Sequence, residues 1–529
     1  MKMKKSILLS FVAFMIASLE AATYRVTPDA EGGGDGQSWA TPMTINEAIA
    51  KIADNDTILC KAGEYLMTGQ IAISKGITFK GGLAGEVDDD EKLASNDARS
   101  VFNAKDITPK NAFLVEGSSG VSCSLVGIEI RNAYFRGMYF NRTSSLSLEN
   151  CVFDSCGTNY TANVSDADVQ IRGAGGNFKG SSSYTLSLKN CVFSRNSYEA
   201  NVSTKVGNGI AATFSTWKRV TIENSLFVSN GVGRAALKST SGNKISLTNL
   251  RGVLYVTGAP LTVRNTKFIA NTAGIYTGTM GAMGGVIYIY KSKGKSSFEN
   301  CLFLGNSCEH CYAINENTKE AGVIVVRSAD GNVTKDSIDV VNCTFAYNFT
   351  DGKITSAGID VGSYNGTTAN IKNTIFYGAR KSRDSEIGRD IWVSSGCSAN
   401  IDYCLFDSDG GENIEKCIAG AGTKTIGSNN VFGDPKFKFA IPAEEIDSIM
   451  VSNKYNNIWY YGYSADAYET VFSKADVHAL SRKLTVDTGD PASPFANEPR
   501  PNGKRVNLGY YGNTPEALST LSGMRIIIR

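Results

Sequence analysis

RNTKFIANTAGIYTGTMGAMGGVIYIYKSKGKSSFENCLFLGNS, residues 264–307, opens and closes on nearly the same phrase: RNTKFIAN returns as ENCLFLGN after 35 residues. Between the copies lies a glycine pair followed by an apolar run, GGVIYIY. The phrase recurs along the chain as LENCVFDSC (148–156), LKNCVFSRN (188–196), IENSLFVSN (222–230), VNCTFAYN (341–348) and IKNTIFYGA (371–379). A degraded copy, DYCLFDSD, stands at 402–409, and an earlier one, LVGIEIRNA at 125–133, has Gly127 in the asparagine position. From Gly127 through Asn150, Asn190, Asn224, Asn265, Asn300, Asn342 and Asn373 to Tyr403 the steps are 23, 40, 34, 41, 35, 42, 31 and 30 residues. A fixed phrase at such periods indicates a solenoid or a propeller.

The flanking residues choose between them. Each phrase follows an alternating segment such as TLSLKN or VTIEN, and period-two alternation is the signature of a strand. Upstream of each lies a glycine followed by β-formers: GIAATF, GVLYV, GVIVV, GIDV. Each unit therefore supplies three short strands and no helix. A propeller blade needs four strands of nearly constant length, whereas three strands with corner loops of any length make a coil of a parallel β-helix. The asparagine fits a corner, where the left-handed backbone that Gly and Asn accept best is required. Stacking would set Asn150, Asn190, Asn224, Asn265, Asn300, Asn342 and Asn373 in a ladder about 4.8 Å apart, with amides able to bond along it. Phe153, Phe193, Phe227, Phe268, Phe303 and Phe345 should stack inside, beside an inward column that includes Cys151, Cys191, Cys301, Cys343 and Cys404.

The F-x-x-N phrase with the G-G-apolar phrase resembles the repeats of chlamydial polymorphic membrane proteins and the wider family of secreted, pectin-lyase-like right-handed parallel β-helix proteins, over roughly 125–409. The segment 35–67 resembles the N-terminal cap and first coil of secreted bacterial β-helix proteins, and 487–517 their closing segment. Within the former, Thr44 and Glu47 form a capping box opening an amphipathic helix. The chain lacks the alternating ten-residue strands of a translocator barrel before its final LSGMRIIIR. The expected organisation is a signal peptide (1–22), an N-terminal helical cap with first coils (23–124), β-helix repeats (125–409) and an irregular C-terminal capping region (410–529). In that last region 464–484 has apolar residues near helical spacing and should form a helix over the last coil's open edge.

Lys2, Lys4 and Lys5, the apolar run ILLSFVAFMIA and the small residues around Ala21 and Ala22 have the order of a secretory signal. Export to the periplasm, cell surface or medium is therefore expected, and no stretch is long and apolar enough to span a membrane. With 53 Lys+Arg against 51 Asp+Glu, no basic excess points to nucleic acid. The motif CEHC (308–311) encloses His310, but zinc normally takes four ligands and no second Cys/His group lies at a fitting spacing. Loop thiols or a loop disulfide fit the motif better.

The shortest coil takes 23 residues and the others 30 to 42. The excess falls at 154–173, 194–207, 231–251, 272–283, 307–320 and 377–389, one corner of every coil, and loops on one side of a solenoid usually form its binding face. The resemblance implies a polysaccharide groove beside the glycine-led strands. Alternation sends Asp360 and Trp392 outward there, as candidate contacts for a polysaccharide or cell-surface glycan. A lyase would need a base, for which Lys205, Arg234 and Lys238 are candidates, and a cation such as Ca²⁺, for which Asp166 and Asp168 could supply oxygens. No lyase, polygalacturonase or pectin methylesterase phrase is present. Two readings follow: a non-catalytic, adhesin-like β-helix that binds glycans or partner surfaces and needs no cofactor, or a polysaccharide lyase or glycoside hydrolase on the same fold.

Overall fold

A computed structural model describes residues 21–520 except 108–109, 158–172, 199–208, 233–251, 274–282, 309–319, 329–335, 351–355, 363–365, 382–388, 408–412, 456–457 and 465. Among the described residues, three long sheets carry the fold. Sheet 1 runs over thirteen strands from Thr23–Val26 to Thr423–Ile426, sheet 2 over twelve from Gly63–Leu66 to Val431–Phe432, and sheet 3 over eleven from Ile71–Ile73 to Ile418–Ala419. A narrow fourth ribbon links two-residue strands from Ser197–Tyr198 to Arg380–Lys381. Every pairing in these sheets is parallel, as in Leu148 to Leu188 and Phe193 to Phe227. The chain is a parallel β-helix whose coils visit sheets 1, 2 and 3 in turn.

The corner between sheets 1 and 2 is the one expected. Asn150, Asn190, Asn224, Asn265, Asn300, Asn342 and Asn373 have φ of 53, 54, 50, 48, 50, 52 and 54°, and Gly127 has 65°. The phenylalanines stack inside: the rings of Phe193, Phe227 and Phe268 lie nearly parallel with successive centroids 4.9 Å apart, and Phe303 and Phe345 are separated by 4.4 Å.

The amide ladder, however, belongs to the second asparagine of the phrase. Among the described residues the side chains of Asn150, Asn190, Asn224 and Asn265 make no hydrogen bond, because the αL corner turns them toward solvent. Three residues after each phenylalanine, Asn196, Asn230, Asn271, Asn306 and Asn348 are buried. Asn230 Nδ2 donates to Asn271 Oδ1 (3.0 Å), Asn271 Nδ2 to Asn306 Oδ1 (3.0 Å) and Asn306 Nδ2 to Asn348 Oδ1 (3.1 Å). Each Nδ2 also donates to a phenylalanine carbonyl, as Asn271 does to Phe227 O at 2.8 Å. Inside the rod an amide can find both a side-chain and a backbone partner; at the outer corner water serves it.

The eleven described cysteines are all buried. Cys151 Sγ lies 3.3 Å from Leu125 O and Cys191 Sγ 3.4 Å from Leu148 O, so thiols donate to backbone where Thr266 and Ser225 place hydroxyls in other coils. Burial pushes the Cys156 and Cys404 thiols up to about 12. A thiol reagent should therefore modify these cysteines only as fast as the rod unfolds. Rapid labelling of several of them in native buffer, followed by peptide mapping, would contradict the buried column.

At the N-terminal end Thr44 caps the helix Ile45–Lys51, with Glu47 N donating to Thr44 Oγ1 at 3.3 Å and Thr44 N to Glu47 Oε2 at 2.9 Å. Ala48 enters the core and Ile45 and Ile49 pack against it.

The C-terminal region departs from expectation. Instead of one helix over 464–484 it forms Ala467–Thr470, a 3₁₀ turn Phe472–Lys474 and a strand Asp476–Ala479 that pairs antiparallel with Phe437–Phe439. Pairing with a neighbouring strand outweighs the local helical pattern, which is weak around Val477 and His478. Met450–Tyr455 pairs antiparallel with Ile458–Tyr463. This region lies along the outer face of sheet 2: Phe437, Ile446, Tyr463, Val471, Phe472 and Leu508 share one buried cluster with Val228, Ile269, Leu304, Ala346, Ile375 and Leu405. It is a strap along the side of the rod. Asn300 Nδ2 donates to Tyr510 O (2.8 Å) and Gly512 O (2.6 Å), Asn342 Nδ2 to Gly512 O (3.4 Å), and Asn373 Nδ2 to Ser493 Oγ (3.0 Å). The last three corner asparagines thus serve as anchors for the strap.

Candidate functional site

On the outer face of sheet 3 the register aligns Tyr255, Tyr288, Val325, Asp360 and Trp392, while Ile359 and Val361 face the core. The alternation places Asp360 and Trp392 as expected, but Asp360 is 0% exposed and Trp392 half-buried. Asp360 in this state is part of the wall. Lys205, Arg234, Lys238, Asp166, Asp168 and His310 lie outside the described residues. Among the described residues no three His, Cys, Asp or Glu side chains converge on a point where Ca²⁺ could sit. Of the CEHC motif, Cys308 is buried with its thiol 3.2 Å from Gly322 O. His478 lies in the strap, stacked on Tyr511 at 3.6 Å with Nδ1 against Asp476, and no described serine or cysteine hydrogen-bonds to its ring.

An open groove of about 450 Å³ lies on the outer face of sheet 1, over its last four coils. That size is ordinary for a ligand site. Its floor is one column of the register, Asp339, Asn370, Asn400 and Thr425, with Lys372 and Asp402 one pleat further along their strands. Asn370 Nδ2 donates to Asp339 Oδ1 and Asn400 Nδ2 to Asn370 Oδ1, both at 2.9 Å. The column is therefore a directed row of amides running along the rod. Lys295 pairs with Asp339. Lys372 Nζ bonds Asp490 Oδ2 of the strap at 2.8 Å; burial opposes ionisation of Asp490, yet this lysine holds its carboxyl below the usual range. Asp402 accepts from Tyr403 N at 3.0 Å and from Asn429 N and Nδ2 at 3.1 and 3.0 Å.

Earlier coils continue this face differently. The middle column there is Ser147, Ser187, Thr221, Thr262 and Ser297, and the next alternates Glu149, Lys189, Glu223, Arg264, Glu299. Lys189 bonds Glu149 at 2.9 Å, and Arg264 reaches Glu299 at 3.2 Å and Glu223 at 3.6 Å. In these five coils the residues before the corner asparagines thus pair with one another along the row.

Buried carboxyls with raised pKa values are where a general acid is sought. Burial raises Asp390 well above the carboxylate range, with nearby Asp407 adding to it, and raises Glu129 and Glu498 as well. None lines the groove. Asp390 sits beside Cys417, and Glu498 accepts from Asn507 N and Asn513 N at 2.8 Å each. A carboxyl whose folded pKa is raised favours folding below its unfolded pKa, about 4, and loses that contribution as pH rises. Asp390→Asn should therefore match the wild type in acid and be more stable at neutral pH, by thermal melts at both. A variant less stable at pH 7 than at pH 4, relative to wild type, would mean the carboxylate is held ionised.

No family model matches the chain, and no curated protein matches it. Among solved structures, the chain is similar to pectate lyase Pel9A at 14% identity and TM-score 0.43, over 92% of this chain and 96% of that one. It is similar to a rhamnogalacturonan lyase at 12% identity and TM-score 0.32, over 83% and 94%, and to a PL6 alginate lyase at 11% identity and TM-score 0.33, over 86% and 95%. Those proteins act on polysaccharides; likeness at this level says nothing of a reaction in this one.

Proposed function

We propose that this protein is an exported, adhesin-like β-helix that binds glycans without catalysis, using the groove on sheet 1. The observation that carries the reading is the Asp339–Asn370–Asn400 row. It holds planar hydrogen-bonding groups on three successive strands, half-buried at Asp339 and Asn370 and exposed at Asn400, a spaced row that can meet a repeating, hydroxyl-rich chain. The signal-like N-terminal sequence and the likeness of the repeats to those of surface proteins support export and a surface role. No described helix is long and apolar enough to cross a membrane. The rival reading, a lyase or hydrolase working beside sheet 3, rests on residues outside the described ones.

Affinity electrophoresis against a panel of soluble polysaccharides tests the proposal. The Asn370→Ala/Asn400→Ala double variant should bind about tenfold more weakly than wild type, with an unchanged melting curve. Equal retardation of both proteins would move the site off this groove, and release of reducing ends or unsaturated sugars on incubation would overturn the non-catalytic part.

A further inference from the structure

We infer that the groove selects uncharged, hydroxyl-rich glycans and excludes polyuronates, an inference that rests on the glycan-binding reading above. Asn370 gives one N–H to Asp339 and one carbonyl lone pair to Asn400, leaving one N–H and the second lone pair. Asn400 has spent one N–H on Asn370, leaving a second N–H and its carbonyl; it is exposed. Thr425 is exposed and presents a hydroxyl. The open groups are thus neutral donors and acceptors, matched to sugar hydroxyls.

The charged groups are already engaged. Lys372, the ammonium lining the groove, is tied to Asp490, and Lys295 beside the groove is tied to Asp339. Up the same face, Lys189 and Arg264 are paired with glutamates in their own row. A uronate carboxylate entering the groove would meet Asp339 and Asp402, and the cation it would find there, Lys372, has its charge already offset by Asp490. Like charges brought together in this way reject a partner more strongly than one hydrogen bond attracts it.

The test compares wild-type protein on neutral probes (laminarin, xyloglucan, galactomannan) and anionic probes (polygalacturonate, alginate), at low and high salt. The expected result is salt-insensitive binding of a neutral probe and none of an anionic one. Asn400→Lys places an unpaired ammonium on the exposed row. It should lose neutral binding about tenfold and gain polygalacturonate binding that salt abolishes. Wild-type binding of polygalacturonate or alginate that Asn370→Ala/Asn400→Ala removes would overturn the selectivity and leave the groove standing. Neutral binding untouched by those substitutions would overturn the groove itself. Failure to bind any probe, with Asn400→Lys gaining none, would overturn both.

Discussion

Asn271→Ala should destabilise the rod by about 3–6 kcal/mol, whereas Asn265→Ala, six residues earlier in the same phrase, should cost about 1 kcal/mol. Asn271 is fully buried. Its Nδ2 donates to Phe227 O and Asn306 Oδ1, and its Oδ1 accepts from Asn230 N at 3.2 Å and Asn230 Nδ2 at 3.0 Å. Alanine removes four hydrogen bonds from a dry interior and leaves Asn230 N without its acceptor, while Asn306 Oδ1 keeps Asn271 N and Asn230 Nδ2 keeps Phe193 O. An orphaned donor at about 1–3 kcal/mol and lost bonds at about 0.5–1.5 kcal/mol each give the range above. Asn265 is exposed, so its removal costs only the preference for asparagine at φ 48°. Denaturant midpoints of the two variants decide the matter. Equal shifts would mean that the buried ladder contributes no more than the corner.

A chain ending at Gly433, without the strap, should self-associate. Val228, Ile269, Leu302, Leu304, Phe349, Ile375 and Leu405 are buried on the outer face of sheet 2 and the adjoining ribbon, within the cluster that contains the strap. Each such side chain gains about 1.5–3 kcal/mol from its cover, and uncovered they make one continuous apolar stripe. Light scattering and dye binding should show aggregation; a monodisperse monomer with the wild-type midpoint would refute the strap's role. Gly305→Leu asks the same question of the full-length chain. A Cβ there would stand 2.4 Å from the Phe472 ring, while Ser229 and Ala270 hold the same corner at φ 53 and 51° in other coils. The backbone accepts a side chain, so the variant should loosen the strap specifically, seen as faster proteolysis after residue 433.

The coil, its corner and the phenylalanine stack could be read from the sequence because each depends on one residue's neighbours two or three positions away. Which asparagine carries the ladder could not be read that way. Both recur with the same period, and only the path of the chain decides which amide points into the rod. The strap does leave a signal in the sequence. The residue after each phenylalanine is Asp154, then Ser194, then Val228, Ile269, Leu304, Ala346 and Tyr377, and then Asp407. An outward position that turns apolar for five coils and then polar again announces something lying on it. The groove left no such trace. Asp339, Asn370 and Asn400 are 31 and 30 residues apart in unremarkable segments, and they acquire meaning only when the register sets them side by side.

The strap also has a consequence in time. Coils of a solenoid ordinarily depend on adjacent coils alone. Here Asn300 is bonded to Gly512, 212 positions later, so a contact of very high sequence separation must close last. About a hundred residues separate Leu405 from Leu508, roughly 5–20 s of synthesis at ordinary elongation rates. Through that interval the stacked coils carry a bare apolar stripe. The contacts that make the finished rod cooperative make the nascent one adhesive, and a holding chaperone would find its binding site on sheet 2 until the strap arrives.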